Sequence, residues 1–225
     1  MNNALSISGL TKTYKDFVLD GVSFSVPSGS IVGLIGENGA GKSTTINAIL
    51  GLIQKEAGNI TILGKEQLDN KTKEQVGVVF DGSNYPEILS PRRLNRVLKN
   101  IYHSWDEHTF LGLLKKLSLP IDKPIKQYSR GMKMKLAISA ALSHNPKLLI
   151  LDEATSGLDP VIRDDILDIM LDFVQDEEHS ILISSHITTD LEKIADYIVF
   201  IHEGKVVFSK PKDELTEQYG IIKCG

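Results

Sequence analysis

The sequence of 225 residues predicts an α/β fold with a mixed, mostly parallel sheet, an N-terminal antiparallel β subdomain and an inserted α-helical subdomain. Two observations carry this prediction. Short apolar runs alternate with amphipathic helical segments over most of the chain, which is typical of a parallel sheet covered by helices on both faces. From about residue 87 to residue 128 the strands stop and only helical periodicity remains, which indicates an insertion.

The first half of the chain supplies five of the predicted strands. The segments "LSISGLTKTY" and "FVLDGVSFSV" alternate apolar and polar residues, which predicts two antiparallel strands. The apolar run "IVGLIG" (31–36) predicts a short buried strand, followed by a glycine-rich loop and a helix in "KSTTINAILGLI". The runs "NITIL" and "VGVVF" predict two further short strands.

The helical insertion is predicted from "SPRRLNRVLKNIYH" and "DEHTFLGLLKKL", which are separated by capping and breaking signals. The alternation then resumes with a helix in "GMKMKLAISAAL", a strand in "KLLIL", a helix over 160–177, a strand in "SILIS" and a helix in "TTDLEKIA". The segment "YIVFIHEGKVVFS" predicts a hairpin that turns near Glu203 and Gly204. We therefore expect one domain over 1–225, in which 1–86 and 129–225 form the core and 87–128 the helical subdomain.

Composition narrows the class of protein. Hydrophobic residues make up 41% and charged residues 24%, as in ordinary folded domains. The formal charge of −4 weighs against a dedicated nucleic-acid binder. We see neither a secretory signal nor a run of about 18 apolar residues, so we expect a cytoplasmic location and no membrane span. The single cysteine, Cys224, excludes an intramolecular disulfide and a zinc site built on cysteines.

The loop "GENGAGKST", from Gly36 to Thr44, fits the pattern G-x-x-x-x-G-K-[ST] in full. It also lies between an apolar strand and an amphipathic helix, as phosphate binding requires. Glycines at positions 36, 39 and 41 permit a positive φ and let backbone N–H groups surround a phosphate. The helix that begins near Lys42 directs its positive end at the same phosphates. We expect Lys42 to reach the β- and γ-phosphates and the Ser43 hydroxyl to ligate Mg²⁺.

Two adjacent carboxylates, Asp152 and Glu153, end the apolar run in "KLLILDE". Their mutual repulsion and desolvation are costly unless a partner lies opposite them. Ligands bind at the carboxyl ends of strands in doubly wound sheets. A magnesium nucleotide on the phosphate loop would be that partner, with Asp152 holding the metal and Glu153 polarising the attacking water. The alternative is a structural pair that caps a helix.

These motifs, in their order and spacing, resemble the nucleotide-binding domain of ATP-binding cassette (ABC) proteins over essentially the whole chain. "GENGAGKST" resembles the family's phosphate loop, "LLILDE" its second acidic motif, "SGLD" (156–159) its D-loop and "ISSH" its switch histidine, His186. "YSRGM" (128–132) stands where the family has its Leu-Ser-Gly-Gly-Gln signature. In detail the chain looks like bacterial peptide or antibiotic exporter and immunity subunits. The resemblance implies a P-loop NTPase core and ATP and Mg²⁺ as cofactors.

The resemblance also implies roles for individual residues. Glu153, His186 and Lys42 would be catalytic. The nucleotide would be bound by Gly36, Asn38, Gly39, Ala40, Gly41, Lys42, Ser43 and Thr44. In a head-to-tail dimer, Ser129 and Gly131 would face the ATP of the partner, Asp159 would order the seam, and Tyr14 would stack on adenine. The metal ligands would be Ser43, Asp152 and Asp81. Asp159 is also an ordinary helix N-cap before a proline, and Tyr14 an ordinary tyrosine at a strand edge.

Two residues depart from the family pattern. Asp81 stands where the family usually has glutamine, and a carboxylate cannot donate a hydrogen bond to water unless it is protonated. We therefore expect altered hydrolysis or coupling and retained binding. Arg130 replaces a signature glycine and either lies near the nucleotide or is solvated, the reading we favour. Tyr85, Ile88 and Leu89 are candidate contacts for a membrane partner, with core packing an equal alternative.

The function implied is the ATP-hydrolysing subunit of an ABC transporter. It would power a separate integral membrane permease for export of a peptide, antibiotic or similar compound, from the cytoplasmic face of the membrane. The ATPase would act as a homodimer or as a heterodimer with a related subunit. A soluble ABC-type ATPase acting on DNA or ribosomes is the alternative, although those relatives usually carry a coiled-coil insertion or a second cassette. In a third reading, a P-loop kinase or GTPase, residues 128–132 are only the start of a helix.

Overall fold

The computed structural model describes residues 2–66, 69–82 and 85–218, which form two sheets and the helices around them. A three-stranded antiparallel sheet has the order β2-β1-β4, with β1 at Asn3–Thr13, β2 at Val18–Pro27 and β4 at Ala57–Ile62. A six-stranded sheet contains β3 (Ile31–Ile35), β5 (Val76–Val79), β6 (Leu148–Asp152), β7 (Ser180–Ser185), β8 (Tyr197–His202) and β9 (Lys205–Pro211). Its order is β5-β6-β7-β3-β8-β9, and only β9 runs antiparallel to its neighbour. The predicted α/β fold is confirmed.

Helices connect these strands. They are α1 (Lys42–Ile49), α2 (Asn70–Glu74), α3 (Pro91–Ile101), α4 (Glu107–Lys116), α5 (Arg130–Leu142), α6 (Pro160–Phe173), α7 (Thr188–Ile194) and α8 (Lys212–Gln218). Two helices end four residues before their predicted limits, at 49 instead of 53 and at 173 instead of 177. The helix α1 ends at Ile49 because Gly51 turns the chain with a φ of 68°, and α6 ends at Phe173. The short helices α2 and α8 have no counterpart in the sequence prediction.

The six-stranded sheet separates two apolar clusters. Strand β6 is buried at all five positions. Leu149 and Leu151 point to the cluster that includes α5 and α6, whereas Leu148 and Ile150 point to the cluster shared with α1 and the antiparallel sheet. This alternation follows from the two-residue period of a strand. It also explains why the run reads as continuously apolar, as strands covered on both faces do.

The helical segment packs directly onto the sheet. Within 87–128 the structure has α3, α4 and a 3-10 turn at Ile125–Gln127, and no strand among the residues described there. Leu94, Phe110 and Leu114 belong to the same buried cluster as Leu149. Asn95 accepts a hydrogen bond from the indole N–H of Trp105 at 2.8 Å, so this tryptophan is part of the packing. The division into a core and a helical subdomain stays a prediction.

Over the described ranges 2–66, 69–82 and 85–218, none of the helices combines the length and the apolar character needed to cross a bilayer.

Candidate active site

Three neighbouring strands bring the predicted catalytic residues to one edge of the sheet. Strands β6, β7 and β3 lie side by side and run parallel. Their carboxyl ends therefore share one edge, where α/β sheets bind ligands. The phosphate loop follows β3, Glu153 follows β6 and His186 follows β7. These residues, distant in the sequence, converge because of the strand order.

Glycines shape the phosphate loop for two different reasons. Gly39 and Gly41 have φ values of 83° and 113°, a left-handed conformation that glycine adopts without strain. Gly36 is not among the glycines with positive φ, so a left-handed conformation is not the reason for glycine at this position. A Cβ at Gly36 would lie 2.4 Å from the carbonyl oxygen of Ile201. Close approach of the β8 backbone is what requires glycine there.

Lys42 is drawn into the interior of its own loop. Its ammonium donates hydrogen bonds to the carbonyl oxygens of Gly36 at 2.8 Å and Glu37 at 3.2 Å. It also lies 3.2 Å from the carboxylate of Glu153, and the residue is only 5% exposed. The two carbonyls hold the ammonium at the centre of the loop. This arrangement directs a positive charge to the position where phosphate oxygens would be bound.

The carboxylates of the adjacent residues Asp152 and Glu153 contact different partners. The hydroxyl of Ser184 donates to Asp152 at 2.5 Å, and the backbone N–H of Glu153 donates to the Ser184 hydroxyl oxygen at 3.1 Å. Glu153 has a φ of 52°, which is unusual for a residue with a side chain and directs the carboxylate away from its neighbour. The sequence analysis missed Ser184. No local sequence pattern marks it, because only the register of β7 against β6 brings it opposite Asp152.

Glu153 joins the lysine of the phosphate loop to the switch histidine. One carboxylate oxygen faces Lys42, and the other lies 2.6 Å from Nδ1 of His186. The histidine side chain is 43% exposed, whereas that of Glu153 is 17% exposed. A carboxylate held between a cation and an imidazole beside an open cleft can accept a proton from a water molecule. The structure thus brings the three predicted catalytic residues together.

An open cleft of about 470 Å³ lies beside this cluster, a volume within the usual range for small-molecule sites. Most of the predicted nucleotide-binding residues line it. The lining consists of Asp16, Phe17, Glu37, Asn38, Gly39, Gly41, Lys42, Ser43, Thr44 and Glu153. Ala40, also in the loop, is buried and does not line the cleft. Its carbonyl oxygen accepts a hydrogen bond from the N–H of Gly204.

Phe17 lines the cleft, and Tyr14 does not. Tyr14 is 43% exposed, and the ammonium of Lys12 lies 5.7 Å from the centroid of its ring. The stacking of Tyr14 on adenine stays a prediction. The sequence analysis did not single out Phe17. The sequence feature that could have indicated Phe17 is its aromatic side chain in the short turn between β1 and β2. This hairpin reaches the phosphate loop.

The signature segment begins α5 as expected for a helix cap. The hydroxyl of Ser129 accepts a hydrogen bond from the backbone N–H of Met132 at 3.2 Å. A Cβ at Gly131 would lie 2.5 Å from the Cδ1 atom of Ile162, so glycine allows α5 to lie close against α6. The carboxylate of Asp159 caps α6 by accepting from the N–H of Ile162 at 3.1 Å. The N-cap alternative for Asp159 is therefore realised, whereas its role in a dimer seam stays a prediction.

The two departures from the family pattern contact each other. The guanidinium of Arg130 donates to the carboxylate of Asp81 at 2.7 Å, and both side chains are half-exposed. The guanidinium also lies against the backbone of Gly157, where an added Cβ would come within 2.6 Å of it. Arg130 is therefore ion-paired as well as solvated, an arrangement that the sequence analysis did not consider.

The oxygen donors present suit a magnesium ion held mainly by substrate. Within the parts of the chain that are described, no group of three or more His, Cys, Asp or Glu side chains could hold a metal ion. Mg²⁺ is usually bound by one or two protein oxygens together with substrate phosphates and water. The exposed Ser43 hydroxyl lines the cleft, and the Asp152 carboxylate ends β6 directly before Glu153, which also lines it. The role of Asp81 as a third ligand stays a prediction.

Comparisons with known proteins give a consistent result. The family model described as ABC transporter matches residues 19–156. The lantibiotic transport ATP-binding protein SrtF of Streptococcus pyogenes is 39% identical over 212 residues, covering 93% of this chain and 91% of that protein. The bacitracin transport ATP-binding protein BcrA of Bacillus licheniformis is 33% identical over 223 residues, covering 97% of this chain and 73% of that protein.

Two solved structures are similar over nearly the whole chain. An ATP-binding subunit of an ABC transporter, 30% identical, superimposes with a TM-score of 0.82 and covers 96% of this chain and 92% of that one. The ATP-binding cassette MJ0796, solved as a dimer in a post-hydrolysis state with ADP and Pi, is 22% identical with a TM-score of 0.79. That match covers 92% of this chain and 98% of that one, and it supports the fold alone.

Proposed function

The chain belongs to the ABC transporter family as a subunit that binds and hydrolyses ATP, and on that premise we propose how its residues do so and what they drive. The observation that carries the proposal is the carboxylate of Glu153, held between Lys42 and His186 at the edge of the cleft. We propose that ATP lies in this cleft with its phosphates on the loop from Gly36 to Thr44. The N-terminus of α1 and the Lys42 ammonium stabilise their negative charge.

Hydrolysis starts with a water molecule placed between Glu153 and the γ-phosphate. Glu153 accepts a proton from the water as its oxygen attacks the γ-phosphorus, and the bond to the β-phosphate oxygen breaks to leave ADP and phosphate. His186 orients the Glu153 carboxylate and donates to a γ-phosphate oxygen. Ser43 and Asp152 would hold Mg²⁺, which would neutralise charge on the β- and γ-phosphates.

We propose that two such chains, identical or related, close around ATP and drive a separate membrane permease. The named relatives are transport ATP-binding proteins, and one structural neighbour is a cassette dimer. Closure on ATP and reopening after hydrolysis would convert binding energy into a conformational cycle. The permease surface would include Ile88, which is 76% exposed. Tyr85 and Leu89 pack against the core instead, and burial raises the pKa of the Tyr85 hydroxyl.

The proposed cargo is a peptide antibiotic or a similar compound, moved outward. Two relatives support the class of cargo, since one is a lantibiotic and one a bacitracin transport protein. The ATPase would then lie at the cytoplasmic face of the membrane, bound to its permease. No role for nucleic acid is proposed.

The catalytic assignment is tested by Glu153→Gln, which keeps the shape of the side chain and removes the base. We expect kcat for ATP hydrolysis to fall about 100- to 1,000-fold, in the lower part of the range for losing a general base, while ATP still binds. Glu178→Gln is the control, because this exposed carboxylate pairs with Lys147 at the surface, away from the cleft lining. Hydrolysis by Glu153→Gln at the parent rate would exclude Glu153 as the base.

The partner is tested by purification from the native cell. A tagged chain is recovered from detergent-solubilised membranes and its companions are identified by mass spectrometry. We expect an integral membrane protein in stoichiometric amount. Recovery with ribosomes or DNA, and never with a membrane protein, would support the soluble ABC-type alternative and contradict transport.

A further inference from the structure

A buried ion pair joins the two helices that follow the candidate catalytic loops. Arg163 lies on α6 and Asp190 in the first turn of α7, and Asp190 is only 2% exposed. The guanidinium and the carboxylate approach to 3.6 Å, which is longer than a hydrogen bond. The same guanidinium donates to the carbonyl oxygen of Leu158 at 3.1 Å.

This pair leaves hydrogen-bonding atoms unused. Oδ2 of Asp190 and Nε of Arg163 are buried and have no hydrogen-bond partner within the described part of the chain. Buried polar atoms are nearly always satisfied, so an exception calls for an explanation. An approach of somewhat less than 1 Å would convert the contact into the two-bond fork that arginine forms with carboxylates. The contact between Arg163 and Asp190 is therefore loose, and a small movement would bring the two side chains into a tighter, hydrogen-bonded arrangement.

The pair connects the two loops on which hydrolysis depends. Leu158 lies in the loop that starts at Glu153 and ends at the cap of α6. Asp190 lies four residues after His186, on the helix whose start is fixed by the turn from Ser185 to Ile187. A movement of α7 relative to α6 therefore changes the distance between His186 and Glu153. Arg163 contacts both the loop after Glu153, at the carbonyl of Leu158, and helix α7, at Asp190.

We propose that Arg163 and Asp190 are positioning residues for ATP hydrolysis, which keep His186 in register with Glu153 by tying α7 to the loop after Glu153. The proposal rests on the proposed roles of Glu153 and His186. Stability alone is a weak reason for this pair, because a buried ion pair with unused atoms recovers little of its desolvation cost. The negative charge of Asp190 also interacts favourably with the positive N-terminal end of α7. The experiment must separate this purely structural contribution from the positioning of His186.

The same two helices provide a matched control. Lys193 of α7 and Asp164 of α6 form an ion pair at 2.7 Å, with side chains 57% and 58% exposed. This pair joins the same helices, and in the described part of the chain neither side chain forms a hydrogen bond or ion pair with the loop after Glu153. If any contact between α6 and α7 served the purpose, removing either pair would have the same effect.

The experiment uses the full-length protein and measures kcat, the KM for ATP and the melting temperature. The variants are Asp190→Asn, Arg163→Met, the double variant Arg163→Met with Asp190→Leu, and the control Lys193→Gln with Asp164→Asn. We expect each single variant to lower kcat by about 10- to 100-fold, as a misplacement of about 1 Å does, with KM changed less than twofold. We expect the control to retain kcat within twofold.

The double variant separates positioning from stability. Replacing both charges by apolar side chains removes the unpaired buried charge, so its melting temperature should return toward that of the parent. We expect its kcat to remain as low as in the single variants. Recovery of the parent kcat by the double variant, or an equal loss in the control, would overturn the proposal. If the single variants do not fold, the double variant alone decides. Parent-like hydrolysis by Glu153→Gln would instead contradict the proposed catalytic base, a separate failure.

Discussion

The two carboxylates at the end of β6 show how one backbone angle separates two roles. Asp152 continues the strand and accepts from Ser184, whereas Glu153 turns to a φ of 52° and reaches Lys42 and His186. A non-glycine residue in this conformation costs about 1 kcal/mol or more. The surrounding contacts of Glu153 offset that cost. Strain at this residue is therefore a property of the site and not of the strand.

A glycine-to-alanine change is expected to have opposite effects at two positions. At Gly36 an added Cβ meets a backbone carbonyl at 2.4 Å, so Gly36→Ala should lower the free energy of unfolding by about 1–3 kcal/mol, as overpacking does. At Gly112, inside α4, nothing lies within 4 Å, so Gly112→Ala should raise it by about 0.5–1 kcal/mol. Urea unfolding of both variants tests this. Equal effects would show that crowding by β8 does not constrain the loop.

The ion pair between Asp81 and Arg130 predicts an altered response to magnesium. A cation 2.7 Å from Asp81 competes with any metal for that carboxylate. If Asp81 is a ligand, Arg130→Ala should lower the Mg²⁺ concentration needed for half-maximal ATP hydrolysis, and Asp81→Ala should raise it. The pair is half-exposed, so stability should change by no more than about 1 kcal/mol. A magnesium requirement unchanged in both variants would exclude Asp81 from the metal site.

At the scale of elements, His144 joins the ends of three helices. Its ring stacks on that of Tyr102, which follows α3, at 4.3 Å between centroids. Its Nδ1 lies 2.9 Å from the carbonyl oxygen of Glu74 at the end of α2, and the residue itself follows α5. Burial lowers the pKa of His144 below the ordinary value of 6.5, because the charged ring loses its hydration there.

This pKa shift predicts a pH dependence of stability. Below the ordinary pKa of about 6.5 the unfolded chain binds a proton that folded His144 does not, so the free energy of unfolding falls as the pH is lowered. Above it the contribution is constant. His144→Asn should cost about 1–3 kcal/mol at pH 8, from the lost contacts, and the difference from the parent should shrink between pH 7 and pH 5. The exposed His108→Gln is the control. A difference that does not vary with pH would contradict a neutral buried His144.

Sequence patterns predicted most helices and strands, because each of these elements depends on the local spacing of apolar residues and on the residues that begin and end it. The strands around β6 and the loop from Gly36 to Thr44 follow from apolar runs and glycine spacing alone. The contacts that complete the site do not have such a signal. Ser184 faces Asp152 only because β7 pairs with β6 in one register, and Arg130 meets Asp81 across 49 positions of sequence. These are consequences of tertiary packing, to which a single sequence gives no direct access.

At the scale of the whole molecule, the proposed function has a second cassette complete the candidate site. The residues that line the cleft all come from the segments around the phosphate loop, β1–β2 and Glu153. Ser129, which caps α5, is exposed and is not among them. An exposed helix start carrying a hydroxyl is suited to bind the phosphate of a neighbouring chain. We therefore predict that ATP holds two chains together when hydrolysis is prevented.

The prediction is tested by gel filtration of Glu153→Gln. With ATP and Mg²⁺ this variant should elute as a dimer, twice the chain mass of 24.8 kDa, and without nucleotide as a monomer. Adding Ser129→Ala should shift the dimer back toward monomer while ATP binding persists, because the lost hydroxyl acts across the interface. Glu178→Gln with Glu153→Gln is the matched control and should remain dimeric. If ATP binds and only monomer elutes, Ser129 is only a helix cap, and the kinase or GTPase reading of the phosphate loop becomes the better account.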